Sequence, residues 1–230
     1  LLYTSDRRDY IETVYITLQD GTDLVLTNSN LWDGGIYIDE ATSSDNSLDI
    51  GSAIINECRI NIENINGQYN SVIFEKAKIV PHIGLLINNE VEDIKMGEYY
   101  VDDASYNGLI ITLTAYDNMA KFDKLISYSN MSYPATLNSI ITDACTVCNV
   151  PSRAPISIPH GNYSVKEKPE PTQTTFRELL AWAGQISGVC FRIDSDGYLK
   201  SIWYDSNGLN QIINGGSVPS TAHTFTSSFG

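Results

Sequence analysis

The chain has 230 residues, of which 42% are hydrophobic and 18% are charged, and its formal net charge is −14 at pH 7. This length is enough to bury one large domain or two modest ones. The acidic excess argues against nucleic-acid binding by phosphate neutralisation, which needs clustered Lys and Arg. Because no apolar run approaches the ~20 residues of a membrane span, we expect a soluble protein without such a span.

Nearly all of the chain before residue 125 has the pattern of short β-strands separated by turns. The predicted strands cover 10–18, 24–27, 36–38, 58–62, 76–83, 98–106 and 109–115. Asp-Gly at 20–21 and Asn-Gly at 66–67 and 107–108 are turn dipeptides, whereas the polar stretch 42–46 is predicted to be a loop. Many short strands joined by such turns are typical of a β-barrel or β-sandwich.

Helices are predicted only after these strands. Their spans are 117–122, which is short, 135–149 and 175–187. At the start of the last helix, Thr175 and Glu178 have the spacing of a capping box, and Gly188 is placed to end it. The two longer helices are joined by a proline-rich segment, which we expect to be extended because proline removes a donor and fixes φ. Within that segment, Tyr163 and Val165 are expected to anchor the chain as an edge strand.

The last helix runs into a predicted β-hairpin, with strands at 189–193 and 198–204 and a turn at 195–197. One face of each longer helix is apolar, which requires an apolar partner. The two faces are Leu137, Ile140, Ile141, Ala144, Cys145 and Cys148, and Phe176, Leu179, Leu180, Ala183 and Ile186. We expect the helices to pack on the hairpin, and the contacts expected to carry this packing are those of Leu137, Ile141, Leu179, Leu180 and Trp203.

Cys145 and Cys148 form a single CxxC pair. A zinc ribbon needs a second such pair, and four scattered cysteines do not make a disulfide framework. Since both thiols lie on the apolar helical face, we interpret them as small hydrophobic core residues, with a redox or metal role as the alternative.

No other candidate site satisfies the requirements of its chemistry. His82, His160 and His223 lie in separate segments without a partner at zinc spacing. The stretch 194–197 begins like a calcium loop, but Tyr198 stands at the fifth position, where a ligand is needed, so a hairpin turn explains it better.

Two pairs of adjacent carboxylates, at 92–93 and 102–103, are expected to point to opposite faces of a strand and so cannot form an acid–base couple. The chain also has no nucleophile-elbow, phosphate-binding or dinucleotide-binding motif. We therefore predict no catalytic, cofactor-binding or metal-binding residues, no cofactor and no enzymatic activity.

Three stretches resemble a known family. They are DGTDLVLTNSNLWDGGIYID at 20–39, MGEYYVDDASYNGLIITLTAYDNMAKFDK at 96–124 and TTFRELLAWAGQISGVCFRIDSDGYLKSIWY at 174–204. In this order they are similar to segments of the baseplate hub, or tail-associated, family of long-tailed phages and prophages of Gram-positive hosts. The resemblance implies a mainly β fold with an α+β insertion. It places a Greek-key-like β-barrel domain at 1–125, an inserted domain of two helices and a β-hairpin at 126–205, and a return segment to the barrel at 206–230.

The resemblance also implies a structural protein of the virion tail that is assembled in the cytoplasm of the bacterial host. In this family three copies form a ring that connects the tail tube to the host-recognition or penetration apparatus. Each copy contributes two related barrels, of which 230 residues hold only the first. The implied partners are a homotrimer and other tail proteins: the tail tube or distal tail protein, the tape measure, and tip or fibre proteins. Tight nucleic-acid binding is not expected.

Two alternatives remain open from the sequence. The chain is also compatible with the N-terminal part of a tail-associated peptidoglycan hydrolase or endopeptidase, or with a carbohydrate-binding β module. The fourteen tyrosines fit either a protein interface or sugar stacking, and six of them cluster in the middle of the chain. These six are Tyr99, Tyr100, Tyr106, Tyr116, Tyr128 and Tyr133.

The acidic charge is concentrated in the first half. Residues 1–125 carry 21 acidic and 8 basic side chains, a net charge of −13. In the ring that the resemblance implies, carboxylates on the channel wall would keep the departing DNA from adhering. The alternative is that the charge serves solubility alone.

Overall fold

The computed structural model describes residues 10–41, 50–87, 90–153 and 157–202. One large antiparallel sheet of eight strands dominates the structure. Its strands are β1 (Tyr10–Thr17), β2 (Asp23–Thr27), β3 (Leu31–Asp39), β4 (Glu57–Glu63), β5 (Lys78–Ile87), β6 (Glu90–Lys95), β7 (Tyr99–Asn107) and β8 (Ile110–Tyr116). They are ordered β2-β1-β5-β7-β8-β4-β3, with β6 also paired to β5. The predicted mainly β class is confirmed.

The buried side chains of the sheet form one apolar core, which we call the sheet core. Alternate residues point inward, as in β4, where Cys58, Ile60 and Ile62 are fully buried between more exposed neighbours. The sheet core consists of Val14, Ile16, Leu26, Leu31, Cys58, Ile60, Ile62, Phe74, Ala77, Ile79, Tyr99, Val101, Ile111, Leu113 and Ala115. Leu26 lies on β2 and Leu31 on β3, so the two end strands share this core. In the described parts of the chain β2 and β3 are not paired, and the hydrogen-bonded ladder of the predicted barrel is therefore not closed.

Two strand starts differ from the sequence prediction, and one strand was not predicted, each for a local reason. β3 begins at Leu31, well before the predicted start, because the strand accommodates a register shift between Leu31 and Ile36. β5 begins only at Lys78, since Lys76 has a φ of 62° and cannot continue a strand. β6 was not predicted, because four of its six residues are charged. The predicted loop at 42–46 lies outside the described residues.

A second set of elements follows β8. They are a 3-10 helix (Asn118–Asp123), a second 3-10 helix (Ile126–Tyr128), β9 (Ala135–Thr136), α1 (Leu137–Cys148), β10 (Ser164–Val165), α2 (Phe176–Ser187), β11 (Cys190–Ile193) and β12 (Leu199–Ile202). The predicted short helix after β8 is thus of the 3-10 type. β11 and β12 form the predicted hairpin, and β10 pairs with β9 at Val165 and Ala135. The edge strand predicted in the proline-rich segment is confirmed at Val165.

The predicted ends of α2 are confirmed in detail. The Glu178 N–H donates to Thr175 Oγ1 at 3.2 Å, and the Thr175 N–H donates to Glu178 Oε2 at 2.7 Å, which completes the capping box. Gly188 ends the helix with a φ of 70°, a left-handed conformation that glycine adopts without a Cβ penalty.

The two helices and the hairpin enclose a second core, which we call the helical core. The predicted contacts of Leu137, Ile141, Leu179 and Leu180 are confirmed, since all four are buried in one cluster with Val189, Phe191, Ile193 and Leu199 of the hairpin region. Trp203 lies outside the described residues. Ile186 was wrongly assigned to the buried face of α2, because its side chain is 41% exposed.

The helical core also takes residues from before position 126. Met119 and Phe122 of the first 3-10 helix are fully buried in it, and Ala53 reaches it from the segment before β4. The domain boundaries at 1–125 and 126–205 stay predictions, and the return segment 206–230 lies outside the described residues.

Candidate functional site

The two cores meet at a junction built on direct backbone contact. A Cβ added to Gly51 would lie 2.4 Å from the Gln185 nitrogen, and one added to Gly184 would lie 2.7 Å from the Gly51 Cα. Only glycine permits such an approach between α2 and the segment before β4. Gly51 also has a φ of 86°, which glycine adopts readily.

Hydrogen bonds and ion pairs fix the hairpin to the sheet at the same junction. The Phe191 N–H donates to the Ser52 carbonyl at 2.9 Å, and Asn118 Nδ2 donates to the Gly197 carbonyl at 2.8 Å. Lys95 Nζ lies 2.7 Å from a Glu98 oxygen and 3.2 Å from a carboxylate oxygen of Asp196. The junction therefore combines apolar packing with directional contacts, and it orients the helical core relative to the sheet.

Asp117 is the most unusual ionisable group of the junction. Its side chain is only 4% exposed. Oδ1 accepts from the Met119 N–H at 3.0 Å and caps the first 3-10 helix, and the Asp117 N–H donates to the Asn56 carbonyl at 3.1 Å. Oδ2 has no hydrogen-bond partner of normal geometry among the described residues, although polar contacts with Asn56 favour the ionised form. Burial dominates and raises the pKa of Asp117 to about 7.

The turn of the hairpin is held by Asp194. Its Oδ1 accepts from the N–H groups of Asp196 and Tyr198, both at 3.0 Å, and its Oδ2 lies 2.8 Å from Arg153 Nε. Gly197 occupies the turn with a φ of 80°. The predicted hairpin turn is confirmed, and the carboxylate oxygens of Asp194 are engaged by the protein itself.

His82 and His160 lie on different parts of the described structure. His82 Nδ1 lies 2.5 Å from Asp93 Oδ2, and the ring of His82 meets that of Tyr15 edge-on with centroids 5.1 Å apart. His160 is exposed in a turn, with a φ of 56°. His223 lies outside the described residues. The His82–Asp93 pair joins β5 to β6 on the outer face of the sheet.

Both thiols of the CxxC pair are buried in the helical core, at 7% and 6% exposure for Cys145 and Cys148. Burial raises the pKa of Cys145 to about 12 and that of Cys148 to about 11, so both are protonated at neutral pH. The predicted core location is confirmed. Over the described ranges, no group of three or more His, Cys, Asp or Glu side chains is placed to hold a metal ion.

The tyrosines that cluster in the sequence do not form one patch. Tyr99 is buried in the sheet core, whereas Tyr106 and Tyr128 are exposed at separate places. Tyr100 and Tyr116 face each other across β7 and β8 and are half-buried. Tyr100 and Tyr116 line one cavity together.

That cavity is part of a depression that we call the seam groove. One cavity of about 350 Å³ is lined by Tyr100, Tyr116 and Asp117. A second cavity of about 510 Å³ is lined by Ile54 and Ile55. Both are lined by Asp102, Tyr116 and Ala120, so they form one continuous groove. It follows the seam between the ends of the strands and the first 3-10 helix.

A strand irregularity places Asp102 in this groove. β7 and β8 pair at Val101 and at Asp103, and Asp102 lies in the bulge between these two pairs. In β6, by contrast, Asp93 pairs with Gly84 and Glu92 with Leu85, as regular strand residues. The prediction that neither carboxylate pair forms a catalytic couple stays a prediction.

Sequence reasoning found neither Gly51 nor the burial of Asp117. The position of Asp117 directly before a short helix is an N-cap signal. Nothing local indicates that this carboxylate is buried, since its cover comes from the segment before β4. Gly51 has no sequence signal beyond being glycine.

Each helix among the described residues is too short or too polar to span a lipid bilayer. No family model matches the chain, and no curated protein matches it.

Comparison with solved structures finds the same fold in a prophage tail protein. The 43 kDa tail protein of prophage MuSo2 from Shewanella oneidensis matches with a TM-score of 0.50 and 16% identity, over 84% of this chain and 56% of that one. The chain thus spans little more than half the length of that protein.

Two structures of a PdpA–VgrG complex also match. The half-lidded Francisella complex gives a TM-score of 0.54 at 10% identity over 90% of this chain and 33% of that one. The lidless complex gives 0.52 at 10% identity over 90% and 37%. At these identities the likeness establishes the fold.

Proposed function

We propose that this chain is a structural protein of a phage or prophage tail, a baseplate hub subunit that forms a homotrimeric ring at the tail tip. The observation that carries the proposal is the fold shared with the prophage MuSo2 tail protein over 84% of the chain. The ring connects the tail tube to the host-recognition or penetration apparatus, and its other partners are neighbouring tail proteins. The protein is located in the virion tail and acts through its geometry, without catalysis.

The construction of the junction suits such a role. Gly51 and Gly184 bring the two cores into backbone contact. Lys95 ties the hairpin to the sheet, and Asn118 ties it to the first 3-10 helix. A subunit that transmits force between neighbours needs its parts to keep a fixed relative orientation. Close packing together with directional hydrogen bonds supplies this rigidity.

Exposed aromatic side chains on β1 and β3 provide a surface for the neighbouring copy. Tyr15 on β1 is 45% exposed and lies opposite Val25 on β2, which is 54% exposed. On β3, Tyr37 is 53% exposed and Trp32 is 39% exposed. Aromatic residues are enriched in protein interfaces, so we assign the subunit contact to this outer face.

The proposal is tested by locating the protein and by measuring its assembly. Antibodies raised against the purified chain should label the tail tip of particles in electron micrographs. Sedimentation velocity should detect a trimer, and the fraction of protein in the trimer should increase with protein concentration. Labelling of capsids, or of no particle, would contradict the location.

The surface assignment is tested separately. Tyr37→Ala should weaken the trimer without lowering the melting temperature. Tyr163→Ala is the matched control, since Tyr163 is 56% exposed but lies in the proline-rich segment. Equal effects of the two changes would contradict the assignment to this outer face of the sheet.

A further inference from the structure

Asn107 and Gly108, at the turn between β7 and β8, have an arrangement suited to a covalent change. The side chain of Asn107 is exposed, and Gly108 has a φ of 58°. A Cβ added to Gly108 would meet no atom within 4 Å, so the space around the turn is open. Among the described residues, neither the Asn107 side chain nor the Gly108 N–H has a hydrogen-bond partner. The two groups are therefore free to approach each other.

An asparagine followed by glycine places an electrophilic carbon beside a nucleophilic nitrogen. The next backbone nitrogen, once it has lost its proton, can attack the side-chain amide carbon, and an intramolecular attack of this kind is strongly favoured over one between separate molecules. Glycine has no Cβ to shield its nitrogen, and its backbone rotates readily. A hydrogen bond from that N–H opposes the reaction, because it must first be broken. The state of the glycine N–H therefore separates reactive from protected Asn-Gly steps in a folded chain.

The chain offers an internal comparison, because the same dipeptide occurs at 66–67. Asn66 is also exposed, but the Gly67 N–H donates to the Asn64 carbonyl at 2.9 Å. A Cβ added to Gly67 would lie 2.7 Å from Asn70 Nδ2, so this turn is crowded as well. The two steps have the same residues and differ in the freedom of the glycine nitrogen.

The open step lies at an end of the sheet that is free of charged residues. The segments 64–74 and 104–116 contain no Asp, Glu, Lys or Arg, although residues 1–125 carry 21 acidic side chains. The two segments are in contact, because the Asn64 N–H donates to the Leu109 carbonyl at 2.7 Å and the Tyr106 hydroxyl donates to a backbone carbonyl of the first segment, also at 2.7 Å. A carboxylate at position 107 would be the only charge in either segment.

We infer that Asn107–Gly108 is a site of spontaneous deamidation, at which this end of the sheet acquires a carboxylate. Hydroxide removes the proton from the Gly108 nitrogen, which forms a bond to Asn107 Cγ while the bond from Cγ to the side-chain nitrogen breaks and ammonia leaves. Water then opens the resulting succinimide. Attack at Cγ gives aspartate, whereas attack at the backbone carbonyl carbon gives isoaspartate, in which the chain continues through the former side chain. The net reaction consumes one water and releases one ammonia.

The isoaspartate product alters the hairpin as well as its charge. Asn107 pairs with Ile110 across the turn, and Tyr106 pairs with Ile111. The additional methylene in the backbone at position 107 disrupts these pairs, because ladder hydrogen bonds require a fixed spacing along both strands. The aspartate product keeps the original backbone. Isoaspartate therefore also loosens the contact that Tyr106 makes with the segment 64–74.

Site-resolved mass spectrometry of the full chain tests the inference. The folded chain is incubated in mildly alkaline buffer made with heavy-oxygen water, and proteolytic peptides then show where the label has entered. Asn107 should convert at least about threefold faster than Asn66, because the Gly67 N–H is held by a hydrogen bond. In urea both sites should convert at similar rates, since both precede glycine. The steps at 207–208 and 214–215 lie outside the described residues and are read from their own peptides.

Variants locate the reaction and its effect on the hairpin. Asn107→Gln should abolish label at this position, because the longer side chain closes the ring far less readily, whereas the control Asn66→Gln should leave conversion at 107 unchanged. After incubation the wild type should melt at a lower temperature than Asn107→Gln treated in the same way. Fresh Asn107→Asp should melt close to the fresh wild type, since its backbone is normal.

Three results would overturn the site. They are conversion of Asn107 no faster than that of Asn66 in the folded chain, the same ratio of the two rates in the folded and the unfolded chain, and no conversion of folded Asn107 in the time that the unfolded chain takes to convert fully. Equal melting temperatures of the incubated wild type and incubated Asn107→Gln would overturn the effect on the hairpin.

Discussion

At the scale of single residues, Asp117 caps a helix and is also buried, and burial of its carboxylate is unfavourable. As an N-cap it satisfies a backbone donor of the first 3-10 helix, a contact that stabilises a helix start by about 1 kcal/mol. The same position lies under the segment before β4, where the carboxylate is desolvated. Burial raises the pKa of Asp117 to about 7, so near neutral pH the folded protein holds this proton more firmly than the unfolded chain does.

The raised pKa of Asp117 makes folding stability decrease as the pH rises toward 7. Below the ordinary pKa of an Asp side chain both states are protonated and the group has no effect. As the pH rises toward 7, only the unfolded chain ionises, so folding stability falls until Asp117 ionises in the folded state as well. We expect Asp117→Asn to keep the cap and to raise the free energy of unfolding at about pH 8 by on the order of 1 to 4 kcal/mol. The gain should vanish toward about pH 4, which denaturation at a series of pH values measures.

Asp20 provides a control of opposite sign. A hydrogen bond from the Thr22 backbone, with a further one from its side chain, lowers the pKa of Asp20. That carboxylate adds stability above its ordinary pKa and loses it as the pH falls. Asp20→Asn should therefore be less stable than the wild type at neutral pH, with the difference closing in acid. A pH-independent effect of Asp117→Asn would show that its carboxyl is not buried as described.

At the scale of elements, α2 connects the two cores. One face packs into the helical core through Phe176, Leu179 and Leu180, while Gly184 allows the backbone of the segment before β4 to approach. The capping box and Gly188 set its ends, and the packing sets which face is buried. Most of the stability of a helix this short comes from that packing.

A substitution on each face of α2 tests this arrangement. Leu180 is 1% exposed, so Leu180→Ala should lower the free energy of unfolding by about 2 to 5 kcal/mol through lost burial and a residual cavity. Ile186 is 41% exposed on the same helix, and Ile186→Ala should cost less than about 1 kcal/mol. Chemical denaturation of both variants measures the difference. Similar losses for the two would mean that α2 does not pack through the face described.

At the scale of the whole molecule, charge is distributed unevenly. Residues 1–125 carry 21 acidic and 8 basic side chains, so the sheet holds most of the net charge. DNA carries about one negative charge per ~1.7 Å of axis, and an acidic surface repels it. In the proposed ring the carboxylates would line the channel through which the genome leaves.

This distribution leads to a binding prediction and a structural one. The chain should show no measurable affinity for DNA even at low salt, by fluorescence anisotropy of a labelled duplex. A ring structure with its surface charge mapped should show the acidic side chains concentrated on the inner wall. A neutral or basic inner wall with acidic groups outside would favour solubility as the reason for the charge.

We also expect the chain to be catalytically silent. In the described parts of the chain, no nucleophile with an adjacent base accompanies the carboxylates that line the seam groove. The purified chain should leave peptidoglycan and peptide substrates intact. Turnover that disappears in Asp102→Asn or Glu57→Gln would contradict this prediction and assign hydrolysis to the groove.

Much of the fold could be predicted because its signals are local. The alternation in β4, the turn at Gly197 and the capping box of Thr175 and Glu178 each involve residues only a few positions apart. Patterns between such close residues can be recognised without knowing any distant contact. The strands and helices could therefore be predicted from the sequence. The candidate groove escaped prediction, because Asp102 reaches it through a strand bulge and Ile54 through the path of a connecting segment.

The sequence by itself determined the class of the fold, the two helices, the caps of α2, the final hairpin and the core location of Cys145 and Cys148. The tertiary structure alone decided that Ile186 faces solvent, that Gly51 meets α2 and that Asp117 is buried. These outcomes depend on contacts between segments that are far apart in the sequence. Whether a group is buried, and whether its burial stabilises the fold, is set by its neighbours in space.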